Sequence, residues 1–135
     1  MILGIGIDFS SVARIKKLLI SNEEKFLQKI FSNREILLSK ERKIHEENLT
    51  KRAMFFAKRY AAKEAFSKAI GTGIGRGINF QDIEIFNDKL GKPQILISED
   101  KQLFLNKIFG CKEVSIYLSL TDEKSIAGAV VIIEK

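Results

Sequence analysis

In Ile2-Leu3-Gly4-Ile5-Gly6-Ile7-Asp8, isoleucines alternate with glycine and a final acid, a two-residue period that predicts a strand. Ser10 or Ser11 is placed to cap a helix running to about residue 20, with Arg14, Lys16 and Lys17 on its polar side. Residues 23–47 predict one or two helices with mixed-charge surfaces. Residues 49–70 contain neither Gly nor Pro and predict one long helix, with Gly71 as its C-terminal cap. Beyond the glycine-rich loop 71–77, strands are predicted at 83–86 and 94–97, joined by a turn containing Asn87, Asp88 and Gly91-Lys92-Pro93. Residues 99–109 read as a helix. Residues 114–119 alternate as a strand, and 125–133 form a buried strand after a turn at Thr121-Asp122-Glu123, so the last two strands predict an antiparallel hairpin. This order of elements predicts an α+β domain. With one Pro and no Ser/Gly-rich stretch or solenoid-length repeat, a single domain spanning 1–135 is expected.

Composition narrows the class. Hydrophobic residues make up 45% and charged residues 30%, a soluble globular mix. Apolar runs such as 127–133 fall well short of the roughly 20 residues a membrane helix needs. The N-terminus has no basic lead-in and no small-residue cleavage site, so no signal peptide is expected. Cys111 is the single cysteine, which excludes an internal disulfide, and one His cannot build a Cys/His zinc site. A cytoplasmic location is expected. Charge is unevenly distributed: residues 1–70 hold 15 Lys/Arg against 8 Asp/Glu, whereas 71–135 hold 8 against 9. Either the first half faces an anionic partner, or these are the solvated helix faces of a lysine-rich protein.

Two acids sit where acids are costly. Asp8 ends an apolar strand, and Glu64 lies on the long helix. At about 100° per residue, Ala53, Ala57, Tyr60, Glu64 and Lys68 fall near one stripe that is small and apolar before the acid. A carboxylate there must be paired or bind a cation, because burying it alone costs several kcal/mol. One reading is an internal Glu64–Lys68 pair at i,i+4 spacing. The other is a hard divalent ion, which takes one or two protein carboxylates and completes its shell with phosphate and water. The loop Gly71, Gly73, Gly75, Gly77 has G-x-G-x-G-x-G spacing and follows a helix, so it is not a dinucleotide fingerprint. Gly91-Lys92-Pro93 lacks the Ser/Thr of a P-loop. Loop 71–77 is expected to offer exposed amides and Arg76 to a phosphate, or simply to connect elements. His45 reads as a surface residue, Cys111 as an inert thiol and the ten Phe as core.

Taken in order, several segments resemble the holo-acyl-carrier-protein synthases, the small trimeric branch of the 4'-phosphopantetheinyl transferase superfamily, nearly end to end. They are Gly4-Ile5-Gly6-Ile7-Asp8 with Arg14-Ile15, then 56–69 with Lys63-Glu64 and Lys68 running into Gly71-Thr72-Gly73. Asp82-Ile83-Glu84-Ile85, Asn87-Asp88, Gly91-Lys92-Pro93 and the closing hairpin follow. The resemblance implies an antiparallel sheet with one long central helix and an active site between protomers of a homotrimer. It implies that Asp8 and Glu64 bind Mg²⁺ with the coenzyme A pyrophosphate, and that Lys68 lies near the transferred phosphate as an electrostatic stabiliser or a participant in proton transfer. Glu64 acting through a metal-bound water is one candidate for removing the serine proton. Lys63, Gly71, Thr72 and Gly73 would contact coenzyme A, the substrate, and Asn87, Gly91, Lys92 and Pro93 would help form its nucleotide pocket. Arg14 and Lys17 would meet an acidic acyl carrier protein. One departure is visible: the family commonly has Ser-His-Thr where this chain has Ser119-Leu120-Thr121, and Leu120 cannot donate to a phosphate. The rival readings are a basic nucleic-acid-binding protein, for which no RNP1-like or zinc pattern is found, and a Mg²⁺-dependent phosphohydrolase using the same acids.

Overall fold

The computed structural model describes residues 1–41 and 48–135, so the reading of His45 lies outside the described residues. The chain runs β1 (Ile2–Ser11), α1 (Val12–Ile30), α2 (Asn33–Glu41), α3 (Leu49–Ile70), a short 3-10 turn (Phe80–Asp82), β2 (Ile83–Asn87), β3 (Pro93–Ile97), α4 (Glu99–Phe109), β4 (Ser115–Glu123) and β5 (Ile126–Glu134). β1, β5 and β4 form an antiparallel sheet in that spatial order, and β2 and β3 form a separate hairpin. The α+β expectation, with an antiparallel sheet against one long helix, holds.

Gly4 and Gly6 govern how closely β1 approaches α3. A Cβ on Gly4 would lie 2.0 Å from the Ala69 carbonyl oxygen, and one on Gly6 would lie 1.8 Å from that of Ala65. Only hydrogen fits there, so the strand backbone lies directly on the helix. The contact also acts as a ruler. Two strand residues advance about 6.6 Å, and four helical residues about 6 Å. Gly4 against Ala69 and Gly6 against Ala65 therefore bring Asp8, next on the same strand face, to the part of α3 that carries Glu64.

Two apolar clusters flank this contact. One joins Ala61, Ala65, Phe66 and Ala69 of α3 to Leu118, Ala129, Val131 and Ile133 of the sheet and to Ile83, Ile85 and Leu105. The other packs Val12, Ile15, Leu19, Phe26, Leu27 and Ile30 of α1 against Ala53, Phe56 and Ala57. Five of the ten Phe are buried (Phe26, Phe31, Phe55, Phe56, Phe66), whereas Phe9 is 65% exposed. Cys111 packs against the first cluster.

Boundaries differ at two places. α1 is capped by Ser11, whose side chain accepts from the Arg14 amide, but it continues past residue 20 to Ile30 through one non-helical residue, Asn22. Leu27 and Ile30 there are buried, so tertiary packing carries the helix over the break. The final turn lies at Lys124–Ser125 instead of Thr121-Asp122-Glu123, which are strand residues paired with β5, and Lys124 takes the positive φ of 49°. α3 ends as the sequence predicts, on Gly71 with φ 87°.

Candidate active site

The ruler set by Gly4 and Gly6 gathers three charged side chains at one end of the β1–α3 contact. The Lys68 ammonium donates to Asp8 Oδ1 at 2.7 Å and to the Ile7 carbonyl at 3.2 Å. Lys68 is therefore bonded to Asp8 across the contact, not to Glu64 within the helix, and the internal i,i+4 pair is not the structure's solution. Burial first, and then the neighbouring Asp8 charge, push the Glu64 carboxyl above its ordinary pKa; a Tyr60 hydrogen bond, Lys68 and Arg14 pull the other way. Two neighbouring carboxyl side chains, from a strand and a helix, are a donor set suited to a hard divalent ion. Among the described residues no three His, Cys, Asp or Glu side chains gather as a metal cluster, so this pair would leave positions for phosphate and water. The residues present fit Mg²⁺. The hydrogen bond to Asp8 raises the pKa of Lys68, whose side chain is 54% exposed, so it stands at the rim as an ammonium.

Arg14 and Lys17 are both exposed on α1. Arg14 lies with its guanidinium carbon 5.8 Å from the Tyr60 ring centroid, at the edge of the carboxylate site. The basic face of α1 thus borders the chemistry.

Lys63 requires a correction. It is fully buried, and its ammonium donates to Glu35 Oε1 at 2.6 Å, to the Ile30 carbonyl at 2.7 Å and to the Phe80 carbonyl at 3.1 Å. All three donors are used inside the protein, so Lys63 offers no contact to coenzyme A. Its role is to tie the ends of α1 and α2 and the 3-10 turn to α3. Burial lowers its pKa and raises that of Glu35, and each partner's charge offsets part of the other's shift. Glu35 was missed from sequence, although Ser32-x-x-Glu35 is a capping-box pattern. The Glu35 amide donates to Ser32 Oγ at 3.1 Å and the Ser32 amide to Glu35 Oε1 at 3.0 Å.

The glycine loop is also reassigned in part. The Gly71 and Gly73 amides both donate to the Ser67 carbonyl at 3.2 Å, and the Gly75 amide to Ile78 at 2.8 Å, so these amides close the helix and the loop instead of facing outward. What the loop does offer is space: a Cβ at Gly71, Gly73 or Gly75 would meet nothing within 4 Å. The Thr72 hydroxyl donates to the Gly73 carbonyl at 2.9 Å. In the β2–β3 turn, Asp88 Oδ1 accepts from the Leu90 and Lys92 amides, both at 2.9 Å, and these bonds hold its carboxyl below the ordinary range. Asn87 is committed to architecture, accepting from Arg59 at 3.0 Å and donating to the Gly91 carbonyl at 2.9 Å. Gly91 takes a φ of 83°, and Pro93 opens β3.

Leu120 shares a cross-strand row with Ala129 and Asp8, on the helix-facing side of the sheet. It packs against the first apolar cluster. Within one chain the departure from the family's usual histidine falls two strands from Asp8, where a leucine gains packing and contributes no donor.

Comparison with known proteins identifies the family. The family model for the 4'-phosphopantetheinyl transferase superfamily matches residues 4–127. A curated relative from Pelagibacter ubique, a holo-[acyl-carrier-protein] synthase, is 42% identical over 134 residues, covering 99% of this chain and 98% of its own. The crystal structure of holo-[acyl-carrier-protein] synthase from Neisseria meningitidis is similar at TM-score 0.82 and 36% identity, covering 100% of both chains. That of the Helicobacter pylori enzyme in complex with coenzyme A is similar at TM-score 0.77 and 32% identity, covering 96% of this chain and 99% of that one. With a carboxylate pair and a lysine at the β1–α3 contact, and full-length relatives of one kind, the chain belongs to the holo-[acyl-carrier-protein] synthases of the 4'-phosphopantetheinyl transferase superfamily.

Proposed function

We propose that this chain transfers the 4'-phosphopantetheine moiety of coenzyme A to a serine of an apo-acyl carrier protein, giving the holo carrier protein used in fatty acid biosynthesis. The serine oxygen forms a bond to the β-phosphorus, the bond from that phosphorus to the bridging oxygen breaks, and 3',5'-ADP leaves. The observation that carries the reading is the meeting of Asp8, Glu64 and Lys68 at one end of the β1–α3 contact. Transfer at phosphorus depends mainly on positioning and charge neutralisation, which this set supplies.

Asp8 and Glu64 would hold Mg²⁺. When bound, the ion supplies Lewis-acid polarisation of the diphosphate and neutralises its developing charge. Lys68 keeps an ammonium beside Asp8 and, half exposed, is free to meet a phosphate oxygen. Glu64 is the candidate acceptor for the serine proton through one water. The open side of Gly71-Thr72-Gly73 and the turn Asn87 to Pro93, with Gly91 and Lys92, would border the coenzyme's nucleotide end. Arg14 and Lys17 would steer an acidic carrier protein toward the serine-binding side.

The assembly in this reading is a homotrimer. Its support is the outer face of the sheet, where Ile5, Ile7 and Phe9 of β1 are 61%, 53% and 65% exposed beside Ile126, Val130 and Tyr117. A contiguous apolar sheet face of this kind suits burial against another protomer. Among the described residues no helix is long and apolar enough to cross a membrane, and the proposed setting is the cytoplasm. The hydrolase and nucleic-acid readings have no support among the relatives. Incubation with coenzyme A, Mg²⁺ and an apo carrier protein is expected to add the phosphopantetheine mass to the carrier. Release of 3',5'-ADP without carrier modification would contradict the transfer.

A further inference from the structure

Lys68 stands one helical turn beyond Glu64 on α3 and reaches across to β1. Its ammonium donates to Asp8 Oδ1 at 2.7 Å and to the Ile7 carbonyl at 3.2 Å. Among the described residues these are its two acceptors, so one of its three donors remains. The lysine side chain is 54% exposed and that of Asp8 16%, so the pair opens to solvent on the lysine's side. An ammonium on a proposed metal ligand sets up a conflict. A hard divalent ion also needs the Asp8 oxygens, and sharing one carboxylate puts two positive centres within a few ångströms of each other, where they repel. Asp8 and Glu64 contribute two negative charges and Lys68 one positive, so a doubly charged cation entering alone overfills the set. The diphosphate of coenzyme A carries the negative charge that restores the balance.

We infer that Lys68 couples the ion to the coenzyme: its ammonium, bonded to Asp8, opposes a divalent cation arriving alone and yields the carboxylate once a diphosphate offers it another anion. Lys68 takes this role only if Asp8 and Glu64 hold the ion, as the proposed function requires. The chain's geometry permits the exchange. A four-carbon stem lets the ammonium swing by several ångströms, and water replaces a half-exposed ion pair at little cost. Lys63 could not act in this way, because its three bonds are enclosed by protein. Linkage makes the effect reciprocal: whatever factor the coenzyme adds to the affinity for the ion, the ion adds to the affinity for the coenzyme. The ion and the diphosphate therefore enter the site as a unit, and the lysine that later faces the transferred phosphate is the group that enforces it.

The test measures Mn²⁺ binding to the whole protein by electron paramagnetic resonance, first without coenzyme A and then with it at saturation. Wild type is compared with Lys68→Met, which removes the charge, and with Lys68→Arg, which keeps it. Without coenzyme, Lys68→Met is expected to bind Mn²⁺ about tenfold tighter than the wild type, within the usual range for coupled sites, and Lys68→Arg to match the wild type. The gain in Mn²⁺ affinity that coenzyme A confers should be about tenfold smaller in Lys68→Met. Coenzyme-free binding by Lys68→Met no tighter than that of the wild type would overturn the inference. So would Lys68→Arg binding as tightly as Lys68→Met, since the charge would then not be the cause. Glu64→Gln separates this outcome from the metal site itself. Mn²⁺ binding that Glu64→Gln leaves unchanged would remove the Asp8–Glu64 site, and the coupling with it. Binding that Glu64→Gln weakens but Lys68→Met leaves unaltered would remove only the role given to Lys68.

Discussion

Lys63 and Lys68 lie on the same helix and bond carboxylates at nearly the same distance, 2.6 Å to Glu35 and 2.7 Å to Asp8, yet the two pairs do different work. The first is 0% and 1% exposed, and the second 54% and 16%. In the interior both charges have left water, all three ammonium donors are used, and the pair stands or falls as a unit. At the rim, water replaces a lost partner at little cost, so Lys68 and Asp8 can exchange one another for other ions. Distance alone does not separate a structural ion pair from a reactive one. Solvent access does, and on α3 the change takes place between the adjacent residues Lys63 and Glu64, which face in different directions.

The sharpest way to break the comparison is to replace each lysine by methionine. Lys63→Met strands the Glu35 carboxyl in the interior and is expected to cost about 3–5 kcal/mol, read as a lowered denaturation midpoint. Lys68→Met is expected to cost less than about 1 kcal/mol while severely slowing transfer. Equal midpoints for the two variants would contradict the division.

Next in size is the reactive side. Glu64→Gln is expected to leave the melting temperature near that of the wild type and to reduce transfer about 10²- to 10³-fold, the scale for losing a group that stabilises developing charge. Wild-type-like turnover would remove Glu64 from the site.

A pH series sharpens the buried side. Glu35→Gln keeps a hydrogen-bond acceptor opposite Lys63 but removes its closest negative charge. Burial already lowers the Lys63 pKa, and without Glu35 it falls further. A depressed lysine gives its full stability above its ordinary pKa and loses it as pH falls through the folded value. The stability gap to the wild type should therefore widen as pH falls from 9 toward 6, by at most about 1.4 kcal/mol per unit. A gap that narrows on acidification would mean that Lys63 is not the group responding.

The smallest effect expected is on the approach of the carrier protein. Reversing Arg14 and Lys17 to Glu should raise carrier KM more than coenzyme A KM, and the difference should shrink with added salt. Arg14 also borders Tyr60, so Lys17→Glu alone gives the cleaner measure of docking.

Much of this arrangement is legible in the sequence. Helix α3 could be bounded because no Gly or Pro interrupts it and Gly71 ends it. The meeting of Asp8 with Glu64 was legible through resemblance, and its physical cause was also written in the chain. Gly4, Gly6 and Asp8 at two-residue spacing match Ala69, Ala65 and Ala61 at four-residue spacing, the two periods that let a strand lie on a helix. Lys63 was misread because its family position outweighed its helical face. It shares that face with Phe56, Phe66 and Ile70, all buried, which marks it as interior. The length of α1 was not legible, because Asn22 breaks the helix locally and only contacts made by Leu27 and Ile30 restore it. Nor was the commitment of the Gly71 and Gly73 amides, which depends on how α3 ends.

Transfer as proposed depends on one ion shared between Asp8 and Glu64. Crystals grown with coenzyme A and Mn²⁺, measured at the manganese absorption edge, give the most direct reading. A single anomalous peak within coordination distance of both carboxylates and of a coenzyme phosphate oxygen is predicted. A peak bonded to only one of them, or located elsewhere on the protein, would contradict it.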